Sequence, residues 1–480
     1  MKVFKTLSIT ILVVVALVSG AVSQTWTPLK NQPSFAAGVA LMLTDGTVMV
    51  QDAGAQDWWK LTPDSHANYA NGTWTQLASL PSNYSPLYFG SAVLTDGRVI
   101  VEGGEYNFFS PTWTNLGAIY DPLTNKWTAV NAPSGWTNIG DGQSVILSNG
   151  VYMQADSLNT DDAVLNPKTL TWTAVGTGKQ DRNDEEGWTL LPDGTVLTVD
   201  ALNAPNAEKF IPSTQQWISA GNTIVRLEDP SSEEIGPAVL RPDGTVFATG
   251  ATGHTAIYTP PANPQDPGTW VAGPDFPKVS GKQLDIADGP AALLPDGNVL
   301  CATSPGVYQN DVHFFEFDGT KLTEVPRTPN AGGETSYQET FLELPTGQIL
   351  LTSQTNDVEI YTPTGSANRA WAPKVTSVPT NLTHGQSYQL AGKGLNGLSS
   401  GAAYGDDAQM ASNYPLVAIY NKASKVVTFA RTHDHSFMGV HSSKTVTTNF
   451  DVPASTPTGA SLLFVITNGI RSNPVSVTVQ

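Results

Sequence analysis

Seven times along this 480-residue chain an apolar run reaches a short polar turn closed by glycine and leaves as a second apolar run. The first instance is Leu43-Thr44-Asp45-Gly46-Thr47-Val48, and the later turn glycines are Gly97, Gly150, Gly194, Gly244, Gly297 and Gly347. Aspartate or asparagine followed by glycine between apolar flanks is the sequence form of a tight β-hairpin. The glycines are separated by 51, 53, 44, 50, 53 and 50 residues. So regular a period marks a repeated unit that cannot bury its apolar face alone and must pack against its own neighbours.

A second landmark keeps the same period. A strand end carrying proline is followed by a turn and then tryptophan, as in Tyr120-Asp121-Pro122 to Trp127, Leu165-Asn166-Pro167 to Trp172, Phe210-Ile211-Pro212 to Trp217 and Tyr258-Thr259-Pro260 to Trp270. The first unit has Trp58-Trp59-Lys60-Leu61-Thr62-Pro63 and then Trp74, whereas the sixth has Leu322 after Phe317-Asp318-Gly319. Each unit reads as four short strands, one blade of a propeller, with the tryptophans packed in the blades rather than displayed as a sugar platform. Closing the ring needs one more strand for the last blade, and the segments around Trp26 and Trp371 both qualify.

Composition bears on compartment and partners. Lys2 and Lys5, the apolar run 7–18 and Ala21-Val22-Ser23 form a secretory signal pattern over residues 1–23, which predicts an exported chain, extracellular or periplasmic. No later stretch is long and apolar enough to span a bilayer. The single cysteine, Cys301, lies in a strand run and leaves no intramolecular disulfide. A net charge of −18 makes nucleic acid and anionic membranes poor partners. A monomer is expected.

From about residue 373 the hairpin period is gone, and alternating strands such as Leu416-Val417-Ala418-Ile419-Tyr420 and Leu462-Leu463-Phe464-Val465-Ile466 suit an Ig-like sandwich. A kelch-type propeller followed by such a domain resembles the galactose oxidase and glyoxal oxidase superfamily of copper radical oxidases. The closest local match lies in Tyr404-Gly405-Asp406-Asp407-Ala408-Gln409, in Asn413-Tyr414-Pro415-Leu416-Val417 and in Arg431-Thr432-His433-Asp434-His435-Ser436-Phe437-Met438-Gly439-Val440. The expected fold is all-β, with a seven-bladed kelch-type β-propeller over 24–371 and an Ig-like β-sandwich over 372–480.

The resemblance implies a copper site fed from the inner ends of several blades, with one histidine from the last domain. At the family's Tyr-His position this chain has Tyr337-Gln338, so the tyrosine is kept and the histidine lost. The radical tyrosine's place falls at Asp141 and that of its cysteine partner at Tyr88, while Cys301 lies beyond its own turn glycine. Only His433 matches the domain-bridging histidine. Without imidazoles and a cross-linked tyrosine, a Cys-Tyr copper radical is not expected.

What replaces those ligands is patterned. The same offset holds Ala36-Ala37 before the first turn glycine and then, before the other six, Tyr88, Asp141, Asp184-Glu185, Glu234, Asp288 and Tyr337-Gln338. Inner strands run along a propeller's axis, so these side chains would meet at one mouth of the central channel, where unpaired carboxylates raise one another's pKa. A divalent metal, either oxygen-coordinated Ca²⁺ or a harder transition metal with His433 as an added ligand, or a basic group of a partner would relieve them, and His433, His435 and Asp141 are the candidate metal ligands. The bland alternative is a channel of solvated acids bonded to nearby amides, with His433 as a domain-interface residue. Asp406-Asp407 reads as a turn. The function that follows is a secreted binding protein for an extracellular glycan or a cell-surface partner. Its rival is a metal-dependent, non-radical extracellular enzyme, an oxidoreductase or a carbohydrate-active one, using the acids and His433.

Overall fold

Every turn glycine takes the left-handed conformation, at φ between +75 and +95°, where a side chain would be strained. In the first hairpin Leu43 N–H donates to the Thr47 carbonyl at 2.8 Å and Gly46 N–H to the Leu43 carbonyl at 3.0 Å. That is a turn closed by a glycine bulge rather than a bare two-residue loop. Aspartate precedes the glycine because its carboxylate accepts the N–H two residues on, from Thr47 to Asp45, Thr195 to Asp193 and Thr245 to Asp243, each at 3.0 Å.

The computed structural model describes residues 24–401 and 413–480. The signal-like segment 1–23 and the Tyr404 to Gln409 match, with Asp406 and Asp407, lie outside the described residues. Among the described residues the hairpins open seven four-stranded antiparallel sheets, and regular helix is limited to short 3₁₀ turns. The architecture is all-β and propeller-like. Five sheets draw four consecutive strands, as in Ala37–Met42, Val48–Asp52, Trp58–Thr62 and Thr73–Gln76, and the second keeps chain order with the short strands Tyr106–Asn107 and Ser110–Pro111 interposed before its third. The seventh takes its outer strand from the other end of the chain: Thr25–Pro28 pairs with Glu359–Thr362, Trp26 opposite Tyr361. Closure therefore uses Trp26, and Trp371 ends a 3₁₀ turn that packs over Gly297. The sixth sheet keeps its outer strand, Leu322–Val325, without a tryptophan.

The periodic tryptophans fasten one sheet to the next. Four of them pack on the aromatic ring opposite at a nearly constant tilt: Tyr120–Trp127 at 47°, Phe210–Trp217 at 48°, Tyr258–Trp270 at 47° and Trp26–Tyr361 at 47°. Each indole N–H then donates to the preceding sheet. Trp127 bonds the Ala78 carbonyl at 2.8 Å, Trp172 that of Asn131 at 2.7 Å, Trp270 that of Ala220 at 3.0 Å and Trp26 that of Pro326 at 2.7 Å. Trp217 instead bonds the Asp162 carboxylate at 2.6 Å. Trp26 fastens the closing strand, so Trp26→Ala is expected to lower stability by about 2–3 kcal/mol, the low side for a tryptophan truncation because the ring is half-buried. A urea midpoint unchanged from wild type would show that the strand closes without it.

From Lys374 onward the chain builds a separate unit around Leu390, Val417, Ile419, Phe450, Leu463 and Val465. The strand Val427–His433 pairs with Leu416–Asn421 through its first half and with Thr445–Asp451 through its second. This unit docks on the hairpin tips. Tyr414 O–H donates to the Met42 carbonyl, and the amides of Thr432, His435 and Met438 donate to the carbonyls of Thr44, Thr95 and Ser148 at 3.1, 3.1 and 2.9 Å. One end of the inner strands is thus covered, while the end where they begin stays open. No helix among the described residues is long and apolar enough to cross a membrane.

Candidate functional site

At the open end, nine residues before Gly97, Gly194 and Gly297, stand Tyr88, Glu185 and Asp288, with φ of +55, +58 and +53°. A non-glycine residue in the left-handed region costs on the order of 1–2 kcal/mol, so its surroundings must hold it there. The three side chains reach one cavity of about 380 Å³, joined by Glu234 and Tyr337 from two further sheets. Asp141 follows the left-handed Gly140 and lies beside the cavity, its carboxylate grouped with those of Asp184 and Glu185 within 4.8 Å. Glu185 also belongs to a second group, with Glu234 and Asp288, at the same spacing. Gln338 sits in the 3₁₀ turn Ser336–Gln338, where its Oε1 accepts from the Thr335 hydroxyl at 3.1 Å, and does not line the cavity.

Two loops contribute residues that the turn offset does not reach. Residues 103–116, between Val99–Glu102 and Gly117–Asp121, bring Glu105, Tyr106 and Phe109; residues 304–312, between Val299–Thr303 and His313–Phe317, bring Tyr308. The first loop has 14 residues and the second nine, against five or six in the other sheets, so their length was a signal open to sequence reading. Tyr308 O–H donates to Glu234 Oε1, and its ring meets that of Tyr337 edge-on at 5.1 Å. Tyr88 meets Tyr106 in the same manner at 6.0 Å.

Crowding of carboxylates dominates the electrostatics. Burial, then Asp184 and Glu105, pushes Asp141 up to about 7; burial, then Glu234, does the same to Glu105. Arg182 is the cation beside them, and Asp184 at 2.7 Å and Glu233 at 3.4 Å already engage it. Oxygens Oδ1 of Asp141 and Oε2 of Glu234 are buried without a hydrogen-bond partner.

His433 and His435 are not part of this mouth, which corrects the expected metal set. They lie with the unit docked on the hairpin tips, at the opposite end of the inner strands. The His433 ring is held between Asp434 at 2.7 Å and Asp451 at 3.1 Å. Asp434, left-handed at φ +52°, breaks the extended run that would have put both imidazoles on one face. His435 turns inward, bonded to the Thr448 hydroxyl at 2.9 Å and stacked on Tyr414, and burial drives its pKa down to about 3. Cys301 is buried in Val299–Thr303. The mouth's donors are carboxylate and phenol oxygens, with none of the seven histidines among its lining residues, and do not fit a copper radical centre. A larger groove of about 920 Å³ lies at the hairpin end beside Thr346 and Phe464 and has a mostly apolar lining.

No family model matches this chain. A kelch-like protein, terF of Aspergillus terreus, is 25% identical over 274 residues, covering 50% of this chain and 56% of that protein. The sequence is kelch-like and the fold β-propeller-like. The chain thus spans just over half the length of the curated relative it matches. A catalytically inactive virginiamycin B lyase from Staphylococcus aureus, solved with quinupristin, superposes with a TM-score of 0.50 at 10% identity over 71% of this chain and 100% of that one. The extracellular domain of a putative hybrid two-component system from B. thetaiotaomicron aligns with 96% of this chain and 59% of its own length, at a TM-score of 0.48 and 11% identity.

Proposed function

We propose that this chain is a secreted, seven-bladed kelch propeller with an Ig-like domain over 372–480, and that it binds an extracellular glycan at its open mouth. The observation that carries the reading is the cavity, where tyrosine rings suited to the apolar faces of a sugar surround carboxylates able to accept paired hydroxyls. The seven sheets support the blade count, the separate core behind Lys374 supports the Ig-like domain, and the pattern at 1–23 supports export. A glycan array followed by calorimetry on the best hit tests it. Tyr308→Ala, at a residue 51% exposed, is expected to weaken binding at least tenfold with an unchanged melting temperature. Binding that survives both Tyr308→Ala and Tyr337→Ala would remove the mouth as the site. Capture of a basic surface protein with the same tyrosine dependence, and of no glycan, would replace the sugar by a protein partner.

A second reading rests on Asp141 and Glu105, whose pKa values near 7 stand beside other carboxylates. A proton-holding carboxyl next to an ionised one is the pairing used in acid–base cleavage of glycans. Product release from the bound sugar, lost in Asp141→Asn, would favour an enzyme over a binding module.

A further inference from the structure

Glu185, Glu234 and Asp288 come from three different sheets, yet each offers an oxygen within 4.8 Å of those of the other two. Oxygens bound to one Ca²⁺ ion at about 2.3–2.6 Å stand no more than about 5.2 Å apart, so this grouping lets all three reach a single ion. Glu234 is only 5% exposed, and its two oxygens are used differently. Oε1 accepts the Tyr308 hydroxyl, and Oε2 is buried with no partner at all. An ionised oxygen left so costs several kcal/mol unless a proton or a cation meets it. Arg182, already held by Asp184 and Glu233, is not that cation.

We propose that Glu185, Glu234 and Asp288 hold a Ca²⁺ ion at the floor of the mouth, and that the ion presents open coordination positions to vicinal hydroxyls of the ligand. The all-oxygen donor set selects a hard cation over copper or zinc. Three carboxylates against one divalent ion leave the site with a net negative charge, which keeps it from trapping phosphate or sulfate. The ion site itself stands on the three side chains; only its role in ligand capture rests on the mouth being the binding surface.

The test uses the full purified chain, stripped with EGTA and titrated calorimetrically with CaCl₂ and, in parallel, MgCl₂. One Ca²⁺ per chain is expected, with Mg²⁺ at least tenfold weaker. Glu234→Gln and Asp288→Asn should each weaken Ca²⁺ at least tenfold, while Asp141→Asn, in the neighbouring group, should change it less than about threefold. Tb³⁺ emission excited through the tyrosines and chased by Ca²⁺ reads the same site in the wild-type chain, without relying on a variant that folds. Absence of both stoichiometric Ca²⁺ uptake and sensitised Tb³⁺ emission overturns the proposal. So does Ca²⁺ binding that Asp141→Asn abolishes and Glu234→Gln spares. Because the probe is the ion alone, its failure leaves tyrosine-dependent ligand binding standing, and a ligand indifferent to Tyr308 and Tyr337 leaves the ion site standing.

Discussion

Lys179→Met is expected to destabilise the chain by about 3–5 kcal/mol, the usual cost of removing one partner from a buried ion pair. The Lys179 side chain is fully buried, with its ammonium 2.9 Å from Glu186 and 3.2 Å from Glu208, whose side chains are 0% and 4% exposed. These two carboxylates raise the Lys179 pKa against the opposing effect of burial. Its loss leaves two buried anions with no cation. The damage should reach the mouth as well. Glu208 accepts the amides of Gln180 at 3.0 Å and Asp181 at 3.1 Å, and Asp181 accepts those of Leu202 and Asn203 at 2.9 and 3.0 Å. That network pins the segment carrying Asp184 and Glu185. Urea denaturation measures the effect, and the triple change Lys179→Met, Glu186→Gln, Glu208→Gln should recover most of it, because no ion is then left unpaired. A single-variant loss below about 1 kcal/mol would mean that the acids simply take up protons.

The second large effect is a fall in stability from about pH 5 to pH 8. Burial is the main cause that raises Asp141 and Asp200 to about 7 and Asp162 and Asp285 to about 8, from 3.8. Each folded carboxyl thus keeps its proton to a higher pH than the unfolded one. Its contribution to stability is complete below about pH 4 and is lost as pH rises through 7 to 8. His435 acts in the opposite sense. Its pKa falls from 6.5 to about 3, so its contribution is complete above 6.5 and fades as pH drops toward 3. Above about pH 4 the four raised carboxyls outweigh the one lowered imidazole, so their sum is greatest near pH 4 and falls through the range from 5 to 8. Scanning calorimetry should find a melting temperature several degrees higher at pH 5 than at pH 8, with Ca²⁺ recovering part of the loss at the alkaline end. A profile flat across this range would show that these carboxyls are ionised and compensated throughout.

The two effects meet at the same residues. The segment 179–186 runs from a buried ammonium to two mouth carboxylates within eight positions, so what stabilises the fourth sheet also sets the geometry of the cavity.

Some of this was determined by the sequence alone, and the reason is locality. A hairpin here needs a glycine at positive φ, an aspartate whose carboxylate reaches two residues on, and apolar flanks, all within about eight residues. A fixed offset from such a turn becomes a fixed height on an inner strand, because rise per residue in a strand is nearly constant. Tyr88, Glu185, Glu234, Asp288 and Tyr337 could therefore be nominated together from their distance to the turn glycines. Tertiary structure decided the rest. Whether Trp26 or Trp371 closes the ring depends on contacts across more than 300 residues, which no local pattern encodes. Glu105 and Tyr308 reach the mouth by the paths of long loops, and loop paths follow from packing rather than periodicity. The end on which the C-terminal unit docks put His433 among Asp434 and Asp451, far from the acids, because docking is settled by complementary surfaces and not by spacing along the chain.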